Sequence, residues 1–190
     1  YDSDPSGIRA TQLERDANLD PDDRVEILID PFRSHRNAYF LQIGPGGSVG
    51  DGLIGENGRR FSKPWDGIFH GRARITDKGW QAELAVPTST IRFDPDGSVW
   101  GINFNRHIRR KDEVVRWASP FRTRHFFKPS ETGDLHGMKG MQQALGLALK
   151  PYGIAATNHT RERGTHTNLD TGGDLFLSLT PALTAVLTFN

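Results

Sequence analysis

The feature that most constrains this chain is an alternation of period two, repeated along most of its length. "GWQAELAVPTSTIRF", residues 79–93, shows it well. Trp80, Ala82, Leu84 and Val86 point one way, and Gln81, Glu83 and Ala85 point the other. That parity is a half-buried strand. Pro87 cannot donate to a ladder and ends it. Thr88, Ser89 and Thr90 then hydrogen-bond locally and make a corner.

The same pattern recurs upstream and downstream. "RVEILID" sets Val25, Ile27 and Ile29 on one face, and "AYFLQI" sets Tyr39, Leu41 and Ile43 on one face. The polar "PFRSHRN" between them predicts a hairpin. "GPGGSVGDGLIGENGRR" is glycine-rich and predicts a loop, with at most a short strand at Leu53 and Ile54. In "WDGIFHGRARIT", Phe69, Ala73 and Ile75 share one face and His70, Arg72 and Arg74 the other. "VWGINFNRHIRR" turns Trp100, Ile102, Phe104 and Ile108 inward, and Gly101, Asn103, Asn105, His107 and Arg109 outward. "VVRWASPF" is a further short strand. Strands with polar reverse faces and frequent turns predict an all-β, antiparallel β-sandwich over residues 1–127, not an α/β enzyme.

Bulk chemistry narrows the function. Among 190 residues, Lys and Arg number 24 and Asp and Glu 23, a net charge of +1 that does not suggest a nucleic-acid partner. With no cysteine, a disulfide framework and a thiolate metal site are both excluded. The chain opens on "YDSDPSGIRA" rather than on Met or an apolar leader, so it reads as a piece excised from a longer protein. No run of eighteen apolar residues predicts a membrane helix.

The character changes at "FFKPSETGDLHGMKG", expected to be a linker over residues 128–141. Beyond it, Leu145, Leu147 and Leu149 alternate with Ala144, Gly146 and Ala148. Leu175, Leu177 and Leu179 alternate with Phe176, Ser178 and Thr180. Leu183, Ala185, Leu187 and Phe189 alternate with Thr184, Val186 and Thr188. Large apolar residues on one face with small or polar ones on the other suit lipid outside and lumen inside, although an ordinary soluble hairpin shares that parity. Residues 142–190 are therefore expected to hold the first β-hairpin strands of a truncated β-barrel, too few to close one.

Four stretches occur in order: "YDSDPSGIRA", "RDANLDPDDRVEILIDPF", "WDGIFHGRARITDKGWQAELAVPTSTIRF" and "WGINFNRHIRRKDEVVRW". Together they resemble the family 9-like carbohydrate-binding module of bacterial envelope proteins. The tail "GGDLFLSLTPALTAVLTFN" resembles the start of the outer-membrane-barrel-like region that follows that module. The resemblance implies a jelly-roll-like sandwich related to sugar-binding modules, with its first strands missing before Tyr1. It also implies a glycan or oligosaccharide partner, a barrel of the protein's own in the outer membrane, and a location in the bacterial cell envelope.

Candidate residues follow from sugar chemistry. Sugar C–H faces pack on aromatic rings while polar neighbours fix the hydroxyls. Trp80 and Trp100 lie on apolar parity and belong to the core. Trp65, beside Asp66 in "KPWDG", and Trp117, on a short strand, are the stacking candidates. The polar faces offer His70, Arg72, Glu83, Asn103 and Asn105, together with His107, as a floor able to read hydroxyls; the plainer alternative is a solvated sheet face with cross-strand pairs. Asp20, Asp22 and Asp23 in "NLDPDDR" are candidate oxygen ligands for a structural Ca2+, against the alternative of acidic turn residues. No catalytic residue is assigned, because no nucleophile elbow, zinc motif or phosphate loop is present. The expected function is non-catalytic glycan recognition by stacking and polar contacts. A structural plug domain of the barrel without sugar binding is the second reading. A polysaccharide-degrading enzyme is the third, and it requires two carboxylates facing across a cleft.

Overall fold

Among the described residues, strands account for every regular element longer than a single turn. In the computed structural model, which describes residues 4–119, 121–144, 146–160, 164–180 and 183–190, the chain divides into two compact units, residues 1–142 and 143–190.

The first unit is built on a seven-stranded sheet. Its strands are β1 (Arg24–Asp30), β2 (Ala38–Ile43), β3 (Val49–Gly55), β4 (Arg60–Ser62), β7 (Val99–Ile108), β8 (Glu113–Arg116) and β9 (Gly133–His136). The order is β4-β3-β2-β1-β7-β8, with β9 pairing the early part of β7. All these pairings are antiparallel. The second layer is the hairpin β5 (His70–Thr76) and β6 (Gly79–Ala85). Gly71 on β5 sits against Val49 and Ile43, where a side chain would collide with both. Ile91, Phe93 and Trp100 form a core cluster behind this hairpin, joined by Ile29, Tyr39, Val86 and Leu135. The result is an antiparallel β-sandwich with one large and one small sheet.

The large sheet is covered on both faces, which the alternation alone does not reveal. Glu26, Leu28 and Asp30 of β1 are buried, whereas Val25, Ile27 and Ile29 are half-buried. On β7, Gly101, Asn103 and Asn105 were expected to face outward, yet they are buried. Phe104, expected inward, is exposed. The cause is the chain after β8, which folds back across this face. Asn103 Oδ1 accepts from the Ala118 amide at 2.9 Å and Asn103 Nδ2 donates to its carbonyl at 3.3 Å. Phe126 then packs with Leu28, Ala38, Phe40 and Ile54. Truncating a buried leucine such as Leu28 to alanine costs about 2–5 kcal/mol.

Two other expectations change. The glycine-rich stretch forms the strand β3 and the short strand β4, not a loop. Its glycines make room for neighbours: a Cβ on Gly50 would lie 2.6 Å from Gln42 Nε2, and one on Gly52 would lie 2.6 Å from the Phe61 ring. The supposed linker 128–141 contains a 3-10 turn, Pro129–Glu131, and β9, which pairs with β7. Its glycine is again permissive, because Gly133 lies under the Trp117 ring.

The second unit is a meander of β10 (Leu147–Thr160), β11 (Gly164–Thr180) and β12 (Leu183–Phe189). Leu145 lies outside the described residues. The register aligns Leu147, Leu177 and Ala185, then Leu149, Leu175 and Leu187. On the reverse face Lys150 lies over Phe176 at 5.2 Å and Thr188 donates to Asp174 at 2.7 Å. No described helix is long and apolar enough to cross a membrane.

Candidate functional site

Register places one polar row across five strands. Gly50 pairs with Gln42, Gln42 with Glu26, Glu26 with Asn105, and Asn105 with Arg116. Directly paired residues point to the same face of a sheet. Gln42, Glu26, Asn105 and Arg116 therefore stand side by side on the face that the chain after β8 partly covers. His107 and Arg24, a pair of the neighbouring row, flank them. These side chains floor a pocket of about 550 Å³.

The floor is tightly bonded. Asn105 Nδ2 donates to Glu26 Oε2 at 2.7 Å and lies 2.9 Å from His107 Nε2. Arg24 Nε donates to Glu26 Oε1 at 2.7 Å. His107 Nε2 is 3.1 Å from Glu26 Oε2; protonated it donates there, and unprotonated it accepts from Asn105. Burial pushes the Glu26 carboxyl up, but hydrogen bonds from His107 and Arg24, the His107 charge and the Asn105 amide outweigh it. They hold the group at about 2. Asn105 is 3% exposed and its Oδ1 has no protein partner. A buried acceptor of that kind favours a ligand donor.

The wall is aromatic. Phe40, Phe61, Phe126 and Phe127 line the pocket, with Phe40–Phe61 centroids 5.6 Å apart and Phe61–Phe127 centroids 5.9 Å apart. Phe61 and Phe127 keep exposed ring surface. Gly58 tightens the wall: it holds φ at +88°, and a Cβ there would strike the Phe127 carbonyl.

The expected stacking tryptophans are elsewhere. Trp65 is half-buried and packs on Tyr39 at 5.0 Å. Trp117 is exposed, but it pairs with Phe104 on the opposite face of the large sheet, at a ring distance of 5.9 Å. Neither lines the pocket. Asp66 instead accepts from Arg15 at 2.9 Å. His70, Arg72 and Glu83 sit exposed on the outward side of the β5–β6 hairpin, with Arg72 opposite Glu83. They do not meet Asn103 and Asn105, which lie beyond the large sheet. Of the expected polar floor, Asn105 and His107 are in the pocket, while Asn103 is occupied in pinning Ala118.

Asp20, Asp22 and Asp23 also diverge. Asp22 caps the backbone amides of Thr11 and Gln12 at 2.6 and 2.7 Å, Asp23 accepts from the Arg109 amide at 2.9 Å, and Asp20 pairs with Arg24 at 3.2 Å. Among the described residues no three His, Cys, Asp or Glu side chains converge as a cation would require. Carboxylates spent separately, two on backbone amides and one on Arg24, are not a calcium cage.

A second buried carboxylate, on β3, lies at the margin of the same pocket. Asp51 pairs with Arg15, accepts from the Gly67 amide at 3.3 Å, and is pushed up to about 6. Burial is the main cause; Arg15 opposes it and the Asp16 charge adds to it. The Arg15 guanidinium also lies 5.1 Å over the Phe69 ring.

No family model and no curated protein matches the chain. Among solved structures it is similar to a "putative carbohydrate-binding protein" from Bacteroides uniformis. The two are 16% identical with a TM-score of 0.53, over 68% of this chain and 67% of that one. At that identity the likeness speaks for the fold, an antiparallel all-β sandwich.

Glu26, Arg24, Gln42, Arg116 and the phenylalanine wall had not been singled out. The signal was present in part, since Leu28, on the parity of Glu26 and Asp30, makes the reverse face of "RVEILID" more than a solvated one. Phe61 and Phe127 flank no motif, and only folding brings them together.

Proposed function

We propose that the first unit is a non-catalytic carbohydrate-binding module, and that its glycan site is the pocket floored by Glu26, Asn105 and His107. The observation that carries this is the polar row set against exposed phenylalanine faces. A sugar ring offers hydroxyls at its rim and C–H groups on its faces. Carboxylate, amide and guanidinium groups in register meet the rim, and Phe61 and Phe127 meet the faces. Glu26 is ionised and committed to three neighbours, an arrangement suited to accepting hydroxyl hydrogen bonds rather than to donating a proton to a leaving group. The carbohydrate-binding name of the similar solved structure supports the carbohydrate reading.

The test is calorimetric titration of the full chain with a panel of neutral and acidic oligosaccharides, beside Asn105→Ala. Saturable binding that the variant loses, with the variant still folded, is the expected result. A folded wild type that binds no oligosaccharide overturns the proposal.

For the second unit we propose strands of an outer-membrane barrel, which sets the protein in the bacterial envelope with that barrel as its own partner. Leu147, Leu149, Leu177, Leu187 and Phe189 share one face and are exposed. Lys150, Asp174 and Thr188 share the other, as a lipid side and a lumen side require. The check is vesicle co-flotation of the full chain, with Leu149→Arg expected to weaken partition by about 2–4 kcal/mol. Equal flotation of both proteins rejects it.

A further inference from the structure

The pocket holds both signs of charge, but they are not balanced in kind. Each acid lining it is met by a cation. Asp20 and Glu26 both engage Arg24, at 3.2 and 2.7 Å. Asp16 and Asp51 both engage Arg15. The remaining cations are differently placed. Lys63 Nζ donates to the Asp16 carbonyl at 3.1 Å, which leaves its charge uncompensated. His125 lines the same pocket and is exposed.

Arg116 is the decisive group. Its Nη1 donates to the Arg124 carbonyl at 2.8 Å, which fixes the guanidinium plane without neutralising it. Its Nε is shielded from solvent and has no acceptor, and among the described residues no carboxylate pairs with it. Arg116 lines the pocket, and a guanidinium with no carboxylate of its own is complemented by an anionic ligand group. Arg116 is also the end of the polar row, two strands from Glu26 and so roughly 10 Å away along the sheet. That separation lets one ring carry hydroxyls to Glu26 and Asn105 and an acid group to Arg116.

We propose that the glycan is acidic, a uronate-type sugar whose carboxylate pairs with the Arg116 guanidinium. This rests on the carbohydrate reading of the pocket and names the class of sugar. The fixed plane supplies geometry, and the attraction of the guanidinium for a carboxylate is one that salt screens. Glu26 does not repel such a ligand strongly, because Arg24 and His107 already compensate it.

The experiment titrates the full chain with an oligogalacturonate, the same oligosaccharide with its carboxyls reduced to alcohols, and a sulfated neutral oligosaccharide of equal length. The uronate is expected to bind at least tenfold tighter than its reduced form, with the ratio falling as salt rises. Arg116→Gln should bring that ratio near one. Arg116→Lys, which keeps the charge and loses the fork, should leave it intermediate, and serves if the glutamine variant does not fold. Arg74→Gln, the same charge change on the outward face of the β5–β6 hairpin, should leave the ratio unchanged. Equal affinity for acid and alcohol, a ratio that survives Arg116→Gln, or preference for the sulfated sugar overturns the acidic-sugar proposal while sugar binding stands. No binding of any of the three overturns both.

Discussion

Glu26 and His107 lie 3.1 Å apart on adjacent strands of one sheet, and Asn105 bridges them with a single amide nitrogen. The contact makes the carboxylate of a middle strand tolerable in a buried setting, because three donors replace the water it loses.

A pH dependence follows. Glu26 is held at about 2, below its ordinary 4.5, so its contribution to stability is present above about 4.5 and is lost as pH falls through about 2. Glu26→Gln should cost about 3 kcal/mol at pH 7, with the gap to wild type closing toward pH 2. Urea unfolding across that range measures it; a gap independent of pH would show that Glu26 is not ion-paired in solution.

Phe61 is 51% exposed, so its loss should spare the fold and reach the ligand. Phe61→Ala is expected to weaken glycan binding about tenfold, or about 1.4 kcal/mol, with little change in Tm. Titration beside thermal melting separates the two effects. Unchanged affinity removes Phe61 from the site.

Asp51 titrates the other way. Its carboxyl is raised to about 6 from 3.8, so its ionisation removes stability as pH climbs through that interval. Arg15 offsets this, though it is a third exposed and screened by solvent. Arg15→Ala should therefore destabilise by about 1–2 kcal/mol more at pH 7.5 than at pH 4.5. The loss of its contact with Phe69 adds a part that does not vary with pH. Denaturation at both pH values decides, and equal losses would mean that Arg15 acts through Asp16, Asp66, Gly67 and Phe69 rather than through Asp51.

Gly47 and Gly58 share φ of +88°, yet they differ in surroundings. Open space surrounds Gly47, and Gly58 abuts the Phe127 carbonyl. Gly47→Ala should cost about 1 kcal/mol. Gly58→Ala should cost about 2–4 kcal/mol and also lower glycan affinity, because Phe127 must move. Similar losses in both variants would mean that the turn alone, and not its neighbour, sets the requirement.

The fold class was legible because period two survives in β1, β2, β5, β6 and β7, and turn residues separate them. The inward face was less legible. Val25, Ile27 and Ile29 are the apolar side of β1, but Leu28 and Glu26 are the more buried, because Ala118 and Phe126, beyond β8, return to their side. Alternation identifies a face and cannot say which return segment covers it. For the same reason alternation did not point to Phe61 and Phe127, which line the pocket beside Phe126. Strand β3 was obscured by glycines that are there to admit Gln42 and Phe61, and β9 by turn residues on either side of its four positions.

The row across the large sheet has a kinetic consequence. Gln42 and Glu26 meet through a hairpin, as do Asn105 and Arg116, whereas Asn105 reaches Glu26 only after a long loop closes. A chain still being synthesised can hold the first two strands together and have nothing to recognise a ligand with. During refolding, ligand capture should therefore lag the optical signal of strand pairing, and a glycan would act as a latch on the completed topology rather than as a template for it.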